Sequence, residues 1–580
     1  MITKAAKFAP LIGLLAWLGA SHCPLGAQAE TALPMTLQIS AAAARIPLGK
    51  TVAVTVVARR DGQPAVGQEV WAYLNGKQWG AQGITDDAGR ATFLLPLPYS
   101  GAAQVQVALP PPDFHWLDKV FGQTADFTVG MHLSAQAVAS NQLTLTVQPR
   151  KFAPFRDPAH LVGTPWYPWF TRYNAHINGG HSDAEAVPLL GSYASTDPDV
   201  IRQQMLWLDE SGINFIEVDW SNNLTAAPHW KDHLPGVQEM VISTTALLDT
   251  LAEMRHEGLP TPQVELLLGM APPFSMAALN EEMQFVHDAL LTNPKYAGLF
   301  VTYLGKPLAT VLSVLPDAAL VKQGAVDPSY FTLRWEWVNV ADRPGWWSWT
   351  DAYLPPTTAL FQGKAESLSL AVAYSTSKGW QDPQSRGKLG GATLVQGFQE
   401  AGLRRPAFLF LQQFNEWGEQ YNTELSDDFE PAALARLGRG GTGVEGGAGT
   451  GWGFYYLNLV HALVQVYHGQ APESTVLTVA APLRGQAVDR TVSGQALTVS
   501  WQSLGKPVSG YTVALDGVIQ AARVPGHSFV LSLSNVPPGP HTIRVRAIGA
   551  VTRFPLSAAT DDDPTTHTFP CVVSVPFTVR

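Results

Sequence analysis

The stretch Ala407-Phe408-Leu409-Phe410-Leu411-Gln412-Gln413-Phe414, running directly into Asn415-Glu416-Trp417-Gly418-Glu419, decides how this chain reads. A short apolar run bounded by polar residues is the pattern of a strand buried on both faces, as in parallel sheets. Two carboxylates and a tryptophan follow where the run ends. In a (β/α)8 barrel the active site is built from the C-terminal ends of the strands. A pair of carboxyl groups flanking the scissile bond is what cleavage of a glycosidic linkage requires. Glu416 and Glu419 are therefore the expected catalytic pair, with Asn415 and Trp417 beside the substrate.

Working outward, residues 151–470 alternate between strand and helix. Asn214-Phe215-Ile216-Glu217-Val218-Asp219-Trp220, Val264-Glu265-Leu266-Leu267-Leu268 and Ser369-Leu370-Ala371-Val372-Ala373-Tyr374 read as strands. Asp197-Pro198 supplies an N-cap with proline in the first helical position, Ile201, Met205 and Leu208 share one face, and Gly212 is placed as a C-terminal cap. Further helices are expected at about 241–256, 280–291 and 454–467. The alternation fits a barrel or a doubly wound sheet. A barrel is preferred, because no Gly-x-Gly-x-x-Gly follows the first strand. The glycine-rich segment 438–453 lacks the Gly-Lys-Ser/Thr ending of a phosphate loop and reads as a surface connection.

Both flanks read as all-β. In 30–150, Val52, Val54 and Val56 repeat on one face, Gln104-Val105-Gln106-Val107 alternates, and Asp61-Gly62 and Asp86-Asp87-Ala88-Gly89 mark turns. This predicts an immunoglobulin-like β-sandwich. In 471–580, Leu497-Thr498-Val499-Ser500-Trp501, Tyr511-Thr512-Val513-Ala514-Leu515 and His541-Thr542-Ile543-Arg544-Val545 alternate, with Asp516-Gly517 as a turn, and a fibronectin type III-like sandwich is expected.

Residues 1–29 read as an export signal: Lys4 and Lys7, an apolar run from Phe8 to Ala20, and Ala27-Gln28-Ala29 before Glu30. The run is too short to span a bilayer, and no later segment reaches the roughly 20 apolar residues a spanning helix needs. Cleavage after Ala29 would leave Cys571 as the one cysteine and permit no intrachain disulfide. A periplasmic or extracellular location is expected. The 580 residues carry a formal net charge of −10 with 14% charged residues, which argues against nucleic acid as a partner, since phosphate binding needs clustered Lys and Arg. An uncharged poly- or oligosaccharide suits this surface. No cofactor or metal is implied.

Thirteen of the eighteen tryptophans fall between Trp166 and Trp452, so rings able to stack on sugar C–H faces concentrate in the central section, although a tryptophan is also an ordinary large core residue. Acids sit beside aromatics at several expected strand ends: Asp219-Trp220, Trp335-Glu336-Trp337, Trp349-Thr350-Asp351 and Glu416-Trp417. If these converge, the result is a carboxylate-lined, tryptophan-walled cleft in which like charges push one pKa upward. For Asp219, Glu336 and Asp351 taken singly, helix capping or ion pairing is the competing role. His176 and His181 match no standard zinc spacing, and a substrate-contacting loop is the better expectation for His176. Asp427, Asp428 and Glu430 read as a solvated loop rather than a calcium site, and no Gly-x-Ser-x-Gly elbow is present.

Four motifs together resemble a family. Leu190-Gly191-Ser192-Tyr193 with Ser195-Thr196-Asp197-Pro198-Asp199-Val200-Ile201, Trp166-Tyr167-Pro168-Trp169, Gly305-Lys306-Pro307-Leu308 and Phe414-Asn415-Glu416-Trp417-Gly418-Glu419 are similar to segments of the endo-α-mannosidase clan of glycoside hydrolases, family 99, and the related family 99-like enzymes. The likeness spans about 161–468. It implies a (β/α)8 barrel in which Glu416 is the base that draws a proton from a sugar 2-OH. Glu419 would protonate the leaving oxygen and later activate water, with retention through an anhydro-sugar. Trp166, Tyr167, Trp169 and Tyr193 join the substrate-binding set. Gly418 stands where the family has histidine, and Leu268-Gly269-Met270-Ala271-Pro272 replaces its His-Ile-Glu-Pro. The second expectation, from another class, is a non-catalytic glycan-binding protein on a degenerate barrel.

Overall fold

The computed structural model describes residues 34–580 except 81–82, 111–131, 153–156, 171–187, 192, 222–235, 271–275, 314–328, 352–354, 375–390, 417–422, 425–452, 473, 483–485, 492–493 and 551–570. The expected export signal, His176, His181, Trp417, Glu419 and the Asp427–Glu430 acids lie outside the described residues.

The central section holds eight parallel strands: β1 (Leu161–Trp166), β2 (Phe215–Trp220), β3 (Gln263–Met270), β4 (Lys306–Ser313), β5 (Thr332–Trp337), β6 (Trp346–Ser348), β7 (Lys364–Ala371) and β8 (Phe408–Gln412). Their order in the sheet is β6-β5-β4-β3-β2-β1-β8-β7, and every neighbouring pair is parallel. The last strand therefore returns beside the first, as in a barrel. The sheet ends at β6 on one side and, beyond β7, at a short antiparallel strand on the other, and side chains join β6 to β7. Trp347 Nε1–H donates to Glu366 at 2.7 Å and Ser369 Oγ to the Trp349 carbonyl at 2.8 Å.

Among the described residues, helices do not follow every strand. Those present are α1 (Pro198–Ser211), α2 (Gly236–His256), α3 (Met276–Phe285), α4 (Ala392–Arg404) and α5 (Tyr455–Tyr467), with α3 running into one π-helical stretch over Val286–Leu291. Between β5 and β6 the chain makes turns only, and Pro344-Gly345, the glycine at φ +79°, is a helix-breaking pair. Between β6 and β7 the described residues hold a short strand, Ala359–Phe361, antiparallel to β7, in place of a helix. The strand expected at 369–374 begins five residues earlier and ends three residues earlier, at Lys364–Ala371.

Helix α1 forms as its sequence dictates. The Asp197 side chain accepts from the Asp199 amide at 3.0 Å, Pro198 takes the first helical position, and Gly212 closes the helix at φ +92°. The helix is gripped by the preceding domain. Lys77 Nζ meets Asp197 and Asp199 at 2.5 Å each, and Arg150 pairs with Glu210 at 2.5 Å.

Phe215, Leu308, Trp347, Phe408 and Phe410 plug the N-terminal end of the barrel, with Phe215 edge-on to Phe410 at 5.2 Å. Gly163 on β1 makes room for this plug: a Cβ there would sit 2.2 Å from the Phe215 ring. Outward residues of β1–β3 pack under the helices. Strand burial on both faces is why these segments read as continuous apolar runs rather than alternating ones.

The N-terminal region forms two sheets, one containing Met35–Ala41, Thr51–Arg60 and Arg90–Pro96, the other Glu69–Leu74, Gly101–Ala108 and Leu143–Gln148. Val52, Val54 and Val56 point into the core as their spacing predicts. The C-terminal region again forms two sheets, of three and five strands. Among the described residues no helix is long and apolar enough to cross a membrane.

Candidate active site

The β8 terminus places Asn415 and Glu416 at the C-terminal end of the strands, where Glu416 is 3% exposed. Phe414 leaves the strand anchored to β1, its amide donating to the Pro165 carbonyl at 3.2 Å. The chain then comes back to the same point. The Thr423 amide donates to the Phe414 carbonyl at 3.0 Å and the Glu424 amide at 2.9 Å. Asn415 is fixed against β1: its Oδ1 accepts from the Tyr167 amide at 2.9 Å and its Nδ2 reaches the Tyr167 carbonyl at 3.3 Å.

Tyr193 and Glu424 complete this corner. Tyr193 Oη donates to Glu424 Oε2 at 2.6 Å, and Gln204 Nε2 on α1 donates to Glu424 Oε1 at 2.7 Å. Gln204 Oε1 accepts from Trp166 Nε1–H at 2.9 Å, and Asn415 Nδ2 lies 3.4 Å from Tyr193 Oη. Ser195, on the turn before α1, donates to the Tyr167 carbonyl at 3.1 Å and accepts from the Phe170 amide at 3.2 Å. The aromatic exit of β1, the turn before α1, α1 itself and the end of β8 thus share one buried polar network.

Below this rim the barrel interior is acidic. Glu217 on β2 and Glu265 on β3 stand opposite each other in register, and Glu336 ends β5. Thr310 on β4 lies between them: its amide donates to Glu265 Oε1 at 2.6 Å and its hydroxyl is 3.0 Å from the same oxygen. The Thr310 hydroxyl is also 3.4 Å from Glu217 Oε1. Burial, aided by the charges of Glu336, Glu265 and Asp219, raises Glu217 well above the carboxylate range. Burial likewise raises Glu336, with Glu265 and Asp219 adding to the effect. For Glu265, burial outweighs the Thr310 hydrogen bonds and brings it up to about 8. Three carboxyls this close and out of water cannot all ionise together, and with its pKa raised to about 8 Glu265 keeps its proton at neutral pH.

The expected residues divide into three groups. Asp219 and Glu336 are brought together, within electrostatic reach of each other and of Glu217 and Glu265. Asp219 also accepts from the Ser221 amide at 2.6 Å, as a capping acid would. Asp351 sits in its own loop, accepting from the Thr357 amide at 2.7 Å, and burial raises its pKa. The four acids therefore do not form the single cluster the strand ends suggested. Trp166 and Trp220 are both 0% exposed, and their indole N–H groups bond to Gln204 on α1 and Thr244 on α2. The structure places these two rings in the core between sheet and helices instead of on a cleft wall. Tyr167, Trp169 and Tyr193 are also buried, with Tyr167 against Trp169 at 4.6 Å between ring centres. Trp337 and Trp349 are half-buried and leave ring surface open.

Sequence reasoning missed Glu217, Glu265 and Glu424. The signal for the first two was an acid inside an apolar, two-face-buried strand, where only an unusual interior would tolerate it. Gly269, in the segment that departs from the resembled family, has a local reason to be glycine. A Cβ on Gly269 would sit 2.0 Å from the Ser221 carbonyl oxygen, so the exits of β2 and β3 are packed as only glycine allows. Among the described residues no group of three or more His, Cys, Asp or Glu side chains is disposed to hold a metal ion.

No family model matches the sequence, and no curated protein matches it. Among solved structures the chain is similar to the family 99 endo-α-mannosidase from Bacteroides thetaiotaomicron, at 16% identity over 54% of this chain and 98% of that one, with a TM-score of 0.39. It is also similar to the endo-β-1,4-mannanase from Thermotoga petrophila, at 10% identity over 73% of this chain and 98% of that one, TM-score 0.30. A third is the β-glucuronidase of Bacteroides uniformis, at 9% identity over 94% of this chain and 61% of that one, TM-score 0.30. All three overlaps are remote, and the chemistry of this site stands on its own residues.

Proposed function

We propose that the chain is an exported glycoside hydrolase that cuts a poly- or oligosaccharide at the C-terminal end of the barrel strands, with immunoglobulin-like and fibronectin-like accessory domains on either side. The observation that carries it is Glu416: a carboxyl 3% exposed at the end of β8, beside an asparagine whose amide is fixed on both sides. A carboxyl kept at a strand end by a rigid neighbour suits proton transfer. As the family resemblance implies, Glu416 takes the proton of a sugar 2-OH while Glu419 protonates the leaving oxygen. Glu419 then deprotonates the water that attacks the anomeric carbon of the anhydro-sugar, Glu416 returns its proton to O2 as the ring opens, and the configuration is retained. A binding module without catalysis would rely on exposed rings; Trp166, Tyr167, Trp169, Tyr193 and Trp220 are buried, which leaves Trp337 and Trp349 as the half-buried rings among the described candidates.

The test is product release from α-mannans, α- and β-glucans and bacterial exopolysaccharides, comparing the chain with Glu416→Gln and Glu419→Gln. One glycan should be cut, and each substitution should lower turnover at least a hundredfold without changing the unfolding midpoint. Binding of a glycan that is equal in all three proteins and never cut would refute the hydrolase.

A further inference from the structure

Above the aromatic plug the barrel walls turn polar. Phe408 and Phe410 belong to the plug, and side chains on one face of a strand recur every second residue, so Gln412 is the next inward position on β8. The same step leads from Phe215 to Glu217 and from Leu308 to Thr310. From Trp347 it leads to Trp349, whose backbone still bridges β5 and β7. Its amide donates to the Trp337 carbonyl at 3.1 Å, and its carbonyl accepts from Ser369 Oγ at 2.8 Å. Between Trp349 and Gln412 the wall is β7, where the small Ser369 and Ala371 lie level with Phe410 and Gln412.

Gln412 is 2% exposed, and neither its Oε1 nor its Nε2 has a hydrogen-bond partner among the described residues. The buried Trp349 Nε1–H has none either. A buried amide left empty at both ends costs more than a made hydrogen bond contributes, so native structures fill such groups. The group that fills these must accept from Gln412 Nε2 and Trp349 Nε1 and donate to Gln412 Oε1. A hydroxyl does both. An ammonium has no lone pair for the two N–H donors. A carboxylate has no proton for Oε1, and it would face the interior acids Glu217, Glu265 and Glu336 without a cation, since Arg334 on β5 is held by both oxygens of Glu366. We propose that Gln412 and Trp349 form the floor of the substrate site and bind a hydroxyl group of a neutral sugar, with Gln412 as a specificity-determining residue. The proposal rests on the hydrolase reading and gives its substrate class: glycans of neutral sugars, in preference to polyuronates and amino-sugar polymers. Gln412 ends the strand whose exit carries Glu416, which puts this floor beneath the reacting carboxyl.

The test uses the full chain with Gln412→Leu and Trp349→Phe, which keep an apolar side chain at each position and remove its hydrogen-bonding atoms. Crystals of the parent are soaked in D-mannose, D-glucose and D-galactose in turn, and one of these should place a hydroxyl within hydrogen-bond distance of Gln412. Neutral mannans or glucans should be cut, and polygalacturonate, alginate and chitosan should not. On the glycan that is cut, Gln412→Leu should lower kcat/KM roughly ten- to a hundredfold and Trp349→Phe by less. The unfolding midpoint of Gln412→Leu should be no lower than the parent's, because the amide has no protein contact to lose. A merely structural glutamine would do the reverse, lowering the midpoint and sparing kcat/KM. Water alone at Gln412 in every soaked crystal overturns the inference, as does unchanged kcat/KM in Gln412→Leu or a charged polymer cut as fast as a neutral one. If no glycan is cut while a hexose sits on Gln412, the hydrolase reading fails and the hydroxyl site stands. If a neutral glycan is cut equally well by Gln412→Leu, the site fails and the hydrolase stands.

Discussion

Replacing Glu265 with glutamine should stabilise the barrel at neutral pH and leave it unchanged in acid. Glu265 is fully buried and its pKa is pushed up to about 8 from an ordinary 4.5. Between those values the native state keeps a proton that the unfolded chain has released, so the native state binds more protons and stability falls as pH rises. The contribution is whole below 4.5 and is lost as pH climbs through about 8. At ~1.4 kcal/mol per pH unit, holding this carboxyl together costs about 3 kcal/mol at pH 7 relative to pH 4.5. Glutamine does not ionise. Its Oε1 still accepts from the Thr310 amide and hydroxyl.

Of the titratable groups around it, Asp219 raises the cost of charge on Glu265, whereas a hydrogen bond with Glu217 lowers it and is outweighed by burial. The assay is urea unfolding followed by tryptophan fluorescence at pH 4.5 and pH 7, for the parent and Glu265→Gln. The variant should match the parent within about 1 kcal/mol at pH 4.5 and exceed it by about 3 kcal/mol at pH 7. The parent itself should be more stable at the lower pH of the two as far as these interior groups govern it. Equal losses in the variant at both pH values would refute the reasoning, since they would mean that Glu265 is ionised and paired in the native barrel.

Two further outcomes test the frame around the site. Glu366 ties β7 to Arg334 on β5 through two contacts of 3.0 and 2.5 Å, and also accepts from Trp347 and Tyr303, so Glu366→Ala should cost about 3–5 kcal/mol by stranding a buried guanidinium; urea unfolding showing a loss under about 1 kcal/mol would sink that. Asp197 both caps α1 and meets Lys77, so in thermal unfolding Asp197→Ala should lose roughly 0.5–2 kcal/mol for the cap alone, while Asp197→Asn, which keeps a capping oxygen, should lose less; equal losses would assign the stability to the ion pair.

Much of the barrel was legible because local signals and global fold agree there. Asp197-Pro198 and Gly212 bracket a helix without any tertiary information, and the runs at 215–220, 263–270 and 408–412 are too apolar to be anything but two-face-buried strands. The same double burial hid which face each residue serves. Trp166 and Trp220 end their strands beside acids, but a strand covered by helices outside and by side chains inside gives both faces the same composition, and the sequence carries no mark of inward or outward. The helix-free connection from β5 to β6 was illegible for a different reason: a turn holding Pro344-Gly345 reads equally as a loop beside a helix. Glu424 was beyond reach, since its partners Gln204 and Tyr193 stand 220 and 231 residues away in the chain.

Glu265 shows that accepted hydrogen bonds do not by themselves decide the charge of a buried carboxyl. It is 0% exposed and accepts from the Thr310 amide and hydroxyl, contacts that favour the ionised form, yet burial outweighs them. The charge of Asp219 adds to that cost, and it does so for Glu217 and Glu336 as well. Asp219→Asn removes the charge and keeps an oxygen that can accept from the Ser221 amide. It should therefore make Glu265 easier to ionise, and the loss of stability between pH 4.5 and pH 7 should shrink in urea unfolding; an unchanged loss would mean that the charge of Asp219 does not reach the interior acids.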